Sequence, residues 1–391
     1  MGADTAVTAL LNGRVLDTHG PREDLTVLVA DGRILALAGA DAPLPSGTIT
    51  HDLGGQLLLP GFIDVQVNGG GGLLFNDAPN LDTLRGIAVA HRRFGTTGLL
   101  PTLITDTAAV MHAALDAVDQ AVEAGVPGIL GIHLEGPFLA GARKGIHDAG
   151  KFRAPDADDL ARIAAQARRG RGAVMLTLAP ECVPPTAIRA LSEAGVRVVI
   201  GHTAADHATV RAALDAGACG FTHLYNAMTP LGSREPGVVG AALDDPDSWC
   251  GLIVDGHHVH PAALRVAIAA KPRGKCVLVT DAMPPVGSDR PDYVLNGQTI
   301  VARDGVCQSD AGVLAGSALD MATGLRNLVR LLGLPLAEAA RMANAYPADW
   351  LGLSGSHGRL RAGLRADFAV LDAANLQVRE TWIGGVRHAA H

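Results

Sequence analysis

Four polar residues, far apart in the chain, each close an apolar run: Glu135 in "HLEGP", His202 in "GHT", His223 in "THLYN" and Asp281 in "TDA". One carboxylate and two neutral imidazoles make a ligand set for Zn²⁺ or Fe²⁺, with a coordination position left open for water. A metal held there lowers the pKa of that water toward neutrality, and Asp281 is placed to take its proton. The implied chemistry is hydrolysis by a metal-activated water. Any one of these residues alone reads equally well as a buried, hydrogen-bonded structural group. Four of them, all at the ends of apolar strands, are hard to explain by packing.

The elements that must position them can be read from the hydrophobic pattern. Eight short, continuously apolar segments follow one another: "FIDVQVN", "GLLPTLIT", "GILGIHLEGPF", "AVMLTLAPE", "VRVVIGHT", "GFTHLYN", "CGLIVDG" and "CVLVTDAM". Between them, residues 81–94, 107–124, 156–169, 185–194, 206–216 and 261–270 carry apolar residues at helical spacing. Eight strands with helical crossovers predict a (β/α)8 TIM-like barrel, whose reactive groups lie at the C-terminal ends of its strands. Two connections break the alternation. Residues 227–247 stand where the helix after the sixth strand belongs, and 284–312 form a long loop with a hairpin after the eighth.

Residues before the barrel alternate apolar and polar around Asn-Gly and Asp-Gly turns, and the C-terminal segment returns to that pattern. Neither end has enough strands for a core of its own. The two are therefore expected to combine, 1–57 with 355–391, into one small β-sandwich domain beside a catalytic barrel over 58–354.

The chain of 391 residues suits one large barrel with such an appendage, and 48% hydrophobic residues supply its core. A net charge of −7 argues against nucleic acid or an anionic membrane as partner, although a small anionic substrate needs only a few local donors. Five scattered cysteines without CxxC spacing read as reduced thiols, and no stretch reaches about 18 apolar residues. A cytoplasmic protein is expected.

The ordered set "PGFIDVQVNGGGG", "HLEGPFL", "KGIHD", "GHTAAD", "THLYNAMTPLGSREPG", "IVDGHHVH", "LVTDAMPPVG" and "LAGSALDMATGLRNLV" resembles the N-acetylglucosamine-6-phosphate deacetylases of the amidohydrolase superfamily, over nearly the whole chain. The resemblance implies that Glu135, His202 and His223 hold one divalent metal, with zinc or iron as the candidates. It makes Asp281 the general base and then the general acid, and gives His147 the acetamide carbonyl and the developing oxyanion. It implies that Asn226, Ala227, Arg234 and His258 bind the sugar 6-phosphate, with Leu314, Ala315 and Gly316 also lining the substrate site. Arg234 would reach the neighbouring subunit's phosphate site, so a homodimer is implied.

Two departures from two-metal relatives stand out. The first strand carries Gln66 and Asn68 where those relatives have a His-x-His pair, and the fourth strand "LTLAPE" ends without a lysine. One metal rather than two is therefore expected. Gln66 either contacts the metal or its water, or only positions the loop. The histidines of "HHVH" and His91, His112 and His207 read as loop, surface or packing residues, His258 excepted.

The substrate expected is N-acetylglucosamine 6-phosphate, cleaved to glucosamine 6-phosphate and acetate. The galacto epimer, a cyclic amide on the same barrel, and a non-catalytic sugar-phosphate-binding barrel remain as alternatives.

Overall fold

In the computed structural model, which describes residues 6–17 and 20–389, eight parallel strands form a nearly closed barrel. They are β1 (Phe62–Val67), β2 (Thr96–Ile104), β3 (Gly131–Glu135), β4 (Ala173–Leu178), β5 (Arg197–Ile200), β6 (Gly220–Phe221), β7 (Trp249–Ile253) and β8 (Cys276–Val279). Each pairs with the next in sequence order from β1 to β8. The ring closes between its ends, where Val67 bridges Ala282 and the Asp281 N–H donates to the Gln66 carbonyl at 3.0 Å.

Helices α1 (Leu81–Arg92), α2 (Ala108–Glu123), α3 (Ala157–Arg168), α4 (Pro185–Glu193), α5 (His207–Asp215), α6 (Gly237–Asp244), α7 (Pro261–Ala270) and α8 (Met321–Arg330) surround the strands. Their apolar residues, among them Ile87, Leu115, Ile163, Ile188 and Val210, pack in one buried cluster with strand residues such as Leu99, Ile132 and Val198. Strands covered on both faces have no reason to alternate, so they read as unbroken apolar runs. Side-chain caps define several helix starts: Asn80, Thr107, Asp156, Asp206 and Asp320 each accept an N–H from the first turn.

Two expectations need correction. The segment 227–247 does contain a helix, α6, and its sequence "GVVGAALD" hid it: Gly237 to Ala242 are all buried, so it has no polar face to reveal a 3.6-residue period. The loop after β8 is more than a hairpin. Asp292–Leu295, Gln298–Arg303, Val306–Ser309 and Leu314–Ser317 form a four-stranded antiparallel meander. Its own small core includes Tyr293, Ile300 and Cys307 packed on Met283.

Strands from the two ends of the chain do combine. Leu57–Pro60 pairs antiparallel with Phe368–Leu371 and parallel with Arg14–Asp17 in a six-stranded sheet, and a four-stranded sheet contains Thr8–Leu11, Leu25–Ala30, Arg33–Gly39 and Ile49–Asp52. Val27, Ile34, Leu58, Phe368 and Trp382 fill the core they share. Of the terminal segments expected to build this unit, 1–5, 18–19 and 390–391 lie outside the described residues.

The strand ends are crowded where they carry functional side chains. A Cβ added at Gly201, directly before His202, would lie 2.8 Å from Thr177 Cγ2 and 3.0 Å from Thr222 Cβ. Gly201→Ala is expected to destabilise the protein by about 1–3 kcal/mol through overpacking. Gly355→Ala, whose Cβ meets nothing within 4 Å, should be near neutral. Denaturant midpoints of the two variants check this.

Candidate active site

Period-two alternation sends Asp64 and Gln66 of β1, and His133 and Glu135 of β3, to the barrel interior. These positions are polar because they face one another across the barrel, where each finds a partner. His133 Nε2 lies 2.7 Å from Thr177 Oγ1 and its Nδ1 lies 3.0 Å from the Val65 carbonyl. Asp64 accepts the Thr280 hydroxyl at 2.5 Å and the Gln66 N–H at 3.2 Å. Burial pushes Asp64 up to about 7.

Above this floor sits Glu135, 2% exposed. Its Oε1 lies 2.9 Å from His223 Nε2 and 3.2 Å from His202 Nε2, and the two imidazole nitrogens are 3.1 Å apart. One ligand atom from each residue falls within 4.8 Å of the others. Burial alone would raise the Glu135 pKa, but the two imidazoles set against it hold it well below the usual carboxylate range. The His202 Nδ1 faces the Arg143 carbonyl at 2.9 Å. A carbonyl only accepts, so Nδ1 carries the proton and Nε2 is left as a lone-pair donor facing the cluster. An ionised carboxylate and two convergent imidazole nitrogens fit a divalent cation.

The remaining groups stand around the same mouth. Asp281 Oδ1 accepts from Asn68 Nδ2 at 2.6 Å and from Gln66 Nε2 at 3.1 Å. Burial, helped by the Glu135 charge, pushes Asp281 up to about 6. His147 is buried, its ring centroid 4.4 Å from that of His202. Burial pushes His147 down to about 3, so its ring is neutral. Nδ1 lies 2.9 Å from Thr105 Oγ1 and accepts the Thr105 backbone N–H at 3.4 Å, an arrangement that suits a ring proton on Nε2.

These residues leave their strands abruptly. His202, His223, Ala227 and Asp281 have φ of 49°, 30°, 52° and 54°, the left-handed region that side chains other than glycine rarely adopt. Turning sharply at the strand end aims each side chain back over the barrel mouth, at a conformational cost of order 1–3 kcal/mol per residue. It also explains why β6 is only two residues long.

A cavity of about 440 Å³ opens here, lined by Asn68, Glu135, His147, His202, His223, Asn226, Ala227, His258, Asp281, Leu314 and Gly316, with Arg143 and Lys144 at its edge. Most residues singled out from the sequence therefore meet. Two do not line it. Ala315 is buried, with its carbonyl accepting the Tyr293 hydroxyl at 2.7 Å, and Arg234 is exposed on the loop before α6. Gln66 turns its amide nitrogen, not its oxygen, toward the carboxylates, reaching both Glu135 oxygens at 3.3 Å.

Sequence reasoning passed over Thr105 and Asp255. Thr105 follows directly on β2 at the same rim and holds His147, a position that the strand-end rule could have supplied. Asp255 Oδ2 lies 2.6 Å from His258 Nδ1, and only an acidic residue three positions before a histidine hinted at it.

Comparison with known proteins identifies the family. Residues 57–387 match the amidohydrolase family model. The N-acetylgalactosamine-6-phosphate deacetylase of Shewanella sp. (strain ANA-3) is 43% identical, the match covering 95% of this chain and 93% of that one. The N-acetylglucosamine-6-phosphate deacetylase of Bos taurus is 40% identical over 86% of this chain and 84% of its own. The crystal structure of N-acetylglucosamine-6-phosphate deacetylase from Pasteurella multocida superposes with a TM-score of 0.93 at 32% identity, covering 98% of this chain and all of that one. With its barrel, its buried Glu135–His202–His223 cluster and these likenesses, the chain belongs to the amidohydrolase family.

Proposed function

We propose that the site hydrolyses the acetamide of N-acetylglucosamine 6-phosphate, releasing acetate and glucosamine 6-phosphate. The observation that carries this reading is the convergence of three ligand atoms from Glu135, His202 and His223 beside Asp281 in one cavity. A divalent cation held by those three residues would polarise the carbonyl and make water at the site more acidic. Zinc and iron both suit the donor set, and the absence of histidine at positions 66 and 68 supports one ion rather than two.

The chain's own residues supply the rest. His147, neutral and with its proton on Nε2, donates to the acetamide oxygen and stabilises the charge that develops there. Asp281 takes the proton of the attacking water and passes it to the departing amine. A carboxylate raised to about 6 is suited to both tasks near neutral pH, being ionised yet not too weak a base. His258, held by Asp255, and the Asn226–Ala227 turn bind the 6-phosphate, with Arg143 and Lys144 drawing the anion in. Arg234 does not line its own chain's cavity, which supports its reaching a partner's phosphate site in a homodimer. Five free cysteines support a reducing, cytoplasmic setting, and among the described residues no helix is long and apolar enough to cross a membrane.

The galacto epimer has its own support in the Shewanella relative, which carries the higher identity of the two curated relatives compared. Acetate release from the two epimers, measured side by side, decides which kcat/KM is larger. Asp281→Asn should lower kcat by about 10²–10⁴-fold with either sugar, the range of a lost general acid–base. If the metal-loaded wild type released no acetate from either, the substrate class would be wrong.

The pH dependence follows from the direction of the Asp281 shift. The base works only when ionised, so kcat/KM should fall as pH drops, along a one-proton limb with a midpoint no higher than about 6. A cation beside it favours the ionised form and moves that midpoint down. The limb should vanish in Asp281→Asn.

Chelation should abolish acetate release and lower the unfolding temperature, and restored Zn²⁺ should recover both. A cation at a thousand times its dissociation constant contributes about 4 kcal/mol. His223→Ala should bind less than one equivalent by elemental analysis.

A further inference from the structure

The geometry points to Asn68 as a positioning residue for the base: it fixes the Asp281 carboxylate, with Gln66 as the second of two amide donors. This rests on the reading of Asp281 as the proton carrier given above. Nothing in the sequence assigned Asn68 a task, since it reads only as a missing ligand.

Asp281 Oδ1 receives both amides, Asn68 Nδ2 at 2.6 Å and Gln66 Nε2 at 3.1 Å. Among the described residues no protein group donates to Oδ2. One oxygen is thus pinned and the other is left to exchange protons with what enters the cavity. Gln66 Nε2 also reaches Glu135, so amide hydrogens stand between two carboxylates that would otherwise repel across a buried gap. The amide orientations follow from chemistry: an ionised carboxylate only accepts, and a turned amide would set oxygen against oxygen.

Among the described residues the Asn68 side chain has one partner: its Nδ2 bonds Asp281, and its Oδ1 is buried without a hydrogen-bond partner. A buried asparagine kept for structure normally satisfies both ends of its amide, and leaving one end unpaired is costly. The backbone around it is held independently. The Asn68 N–H donates to the Ala282 carbonyl at 2.9 Å and the Asp281 N–H to the Gln66 carbonyl at 3.0 Å, at the seam where β1 meets β8. Closing the barrel therefore sets the two residues side by side without help from the amide, and the amide serves the orientation of one carboxylate.

Asn68→Leu keeps the size of the side chain and removes the donor, and Asn68→Asp replaces the amide with a carboxyl that must share a proton with Asp281. In cation-loaded protein each should lower kcat about tenfold to a hundredfold, the scale of a misplaced catalytic group, with KM within about threefold of wild type. Bound cation per chain should be unchanged, and Asn68→Leu should unfold close to the wild-type temperature, because it removes an unpaired buried oxygen together with one of the two donors to Asp281. In an Asp281→Asn background, Asn68→Leu should cost no further activity beyond about twofold, because residues acting as a unit are not additive. A purely structural asparagine would instead lower the unfolding temperature and reduce the rate in both backgrounds. If Asn68→Leu keeps full kcat while Asp281→Asn is inactive, the positioning role is wrong and the base stands. If Asp281→Asn itself stays active, both fall. Loss of the cation from Asn68→Leu and Asn68→Asp would also overturn the inference, moving Asn68 from the base to the ligand set. Should one of them not fold, the other carries the comparison.

Discussion

Everything in the site depends on one buried carboxylate. Glu135 is almost fully excluded from water, and an isolated charge there would cost several kcal/mol. Its surroundings make that charge acceptable, because His202 and His223 converge on Oε1 and Gln66 spans both oxygens. The same convergence keeps two imidazole nitrogens 3.1 Å apart, a spacing that needs a shared proton or a shared cation between them. Burial thus supplies electrostatic strength, since interactions are less screened away from water. A divalent cation would satisfy all three ligand atoms at once.

The barrel exists, for this purpose, to bring separate strands to that carboxylate. Glu135 ends β3, His202 follows β5, His223 follows β6 and Asp281 follows β8, while Gln66 belongs to β1. No local segment could assemble them. The conformational cost appears in the left-handed backbone of His202, His223 and Asp281, and interstrand bonds hold it in place. Thr203 N–H donates to the Ala227 carbonyl and Ser317 N–H to the Asp281 carbonyl, so neighbouring loops fix one another. The meander after β8 takes part here, since its last strand carries Ser317.

Much of this was legible in the sequence, for physical reasons that also mark where legibility stops. Strands buried on both faces announce themselves as apolar runs, and helices with one wet face announce their period, so α1 to α5 and α7 fall within a residue or two of their expected ends. The α6 helix, apolar on every side, had no period to show. Glu135, His202, His223 and Asp281 were visible because an ionisable residue ending an apolar strand contradicts its surroundings. Asn68, Thr105 and Asp255 were not, because their partners lie across the barrel or within a turn and their side chains are unremarkable on their own. Gln66 was visible only as a question, and its amide nitrogen faces Glu135 and Asp281. Ala315 shows the converse: a motif neighbour of two cavity residues, turned inward by strand alternation.

The most direct test of the central claim is a crystal structure of cation-loaded Asp281→Asn protein with the N-acetylated hexosamine 6-phosphate bound. The account predicts a cation between Glu135, His202 and His223, with the acetamide carbonyl lying against it and its oxygen within hydrogen-bond reach of His147 Nε2. A sugar bound with its acetamide turned away from that cluster, or a cation held by other residues, would contradict it.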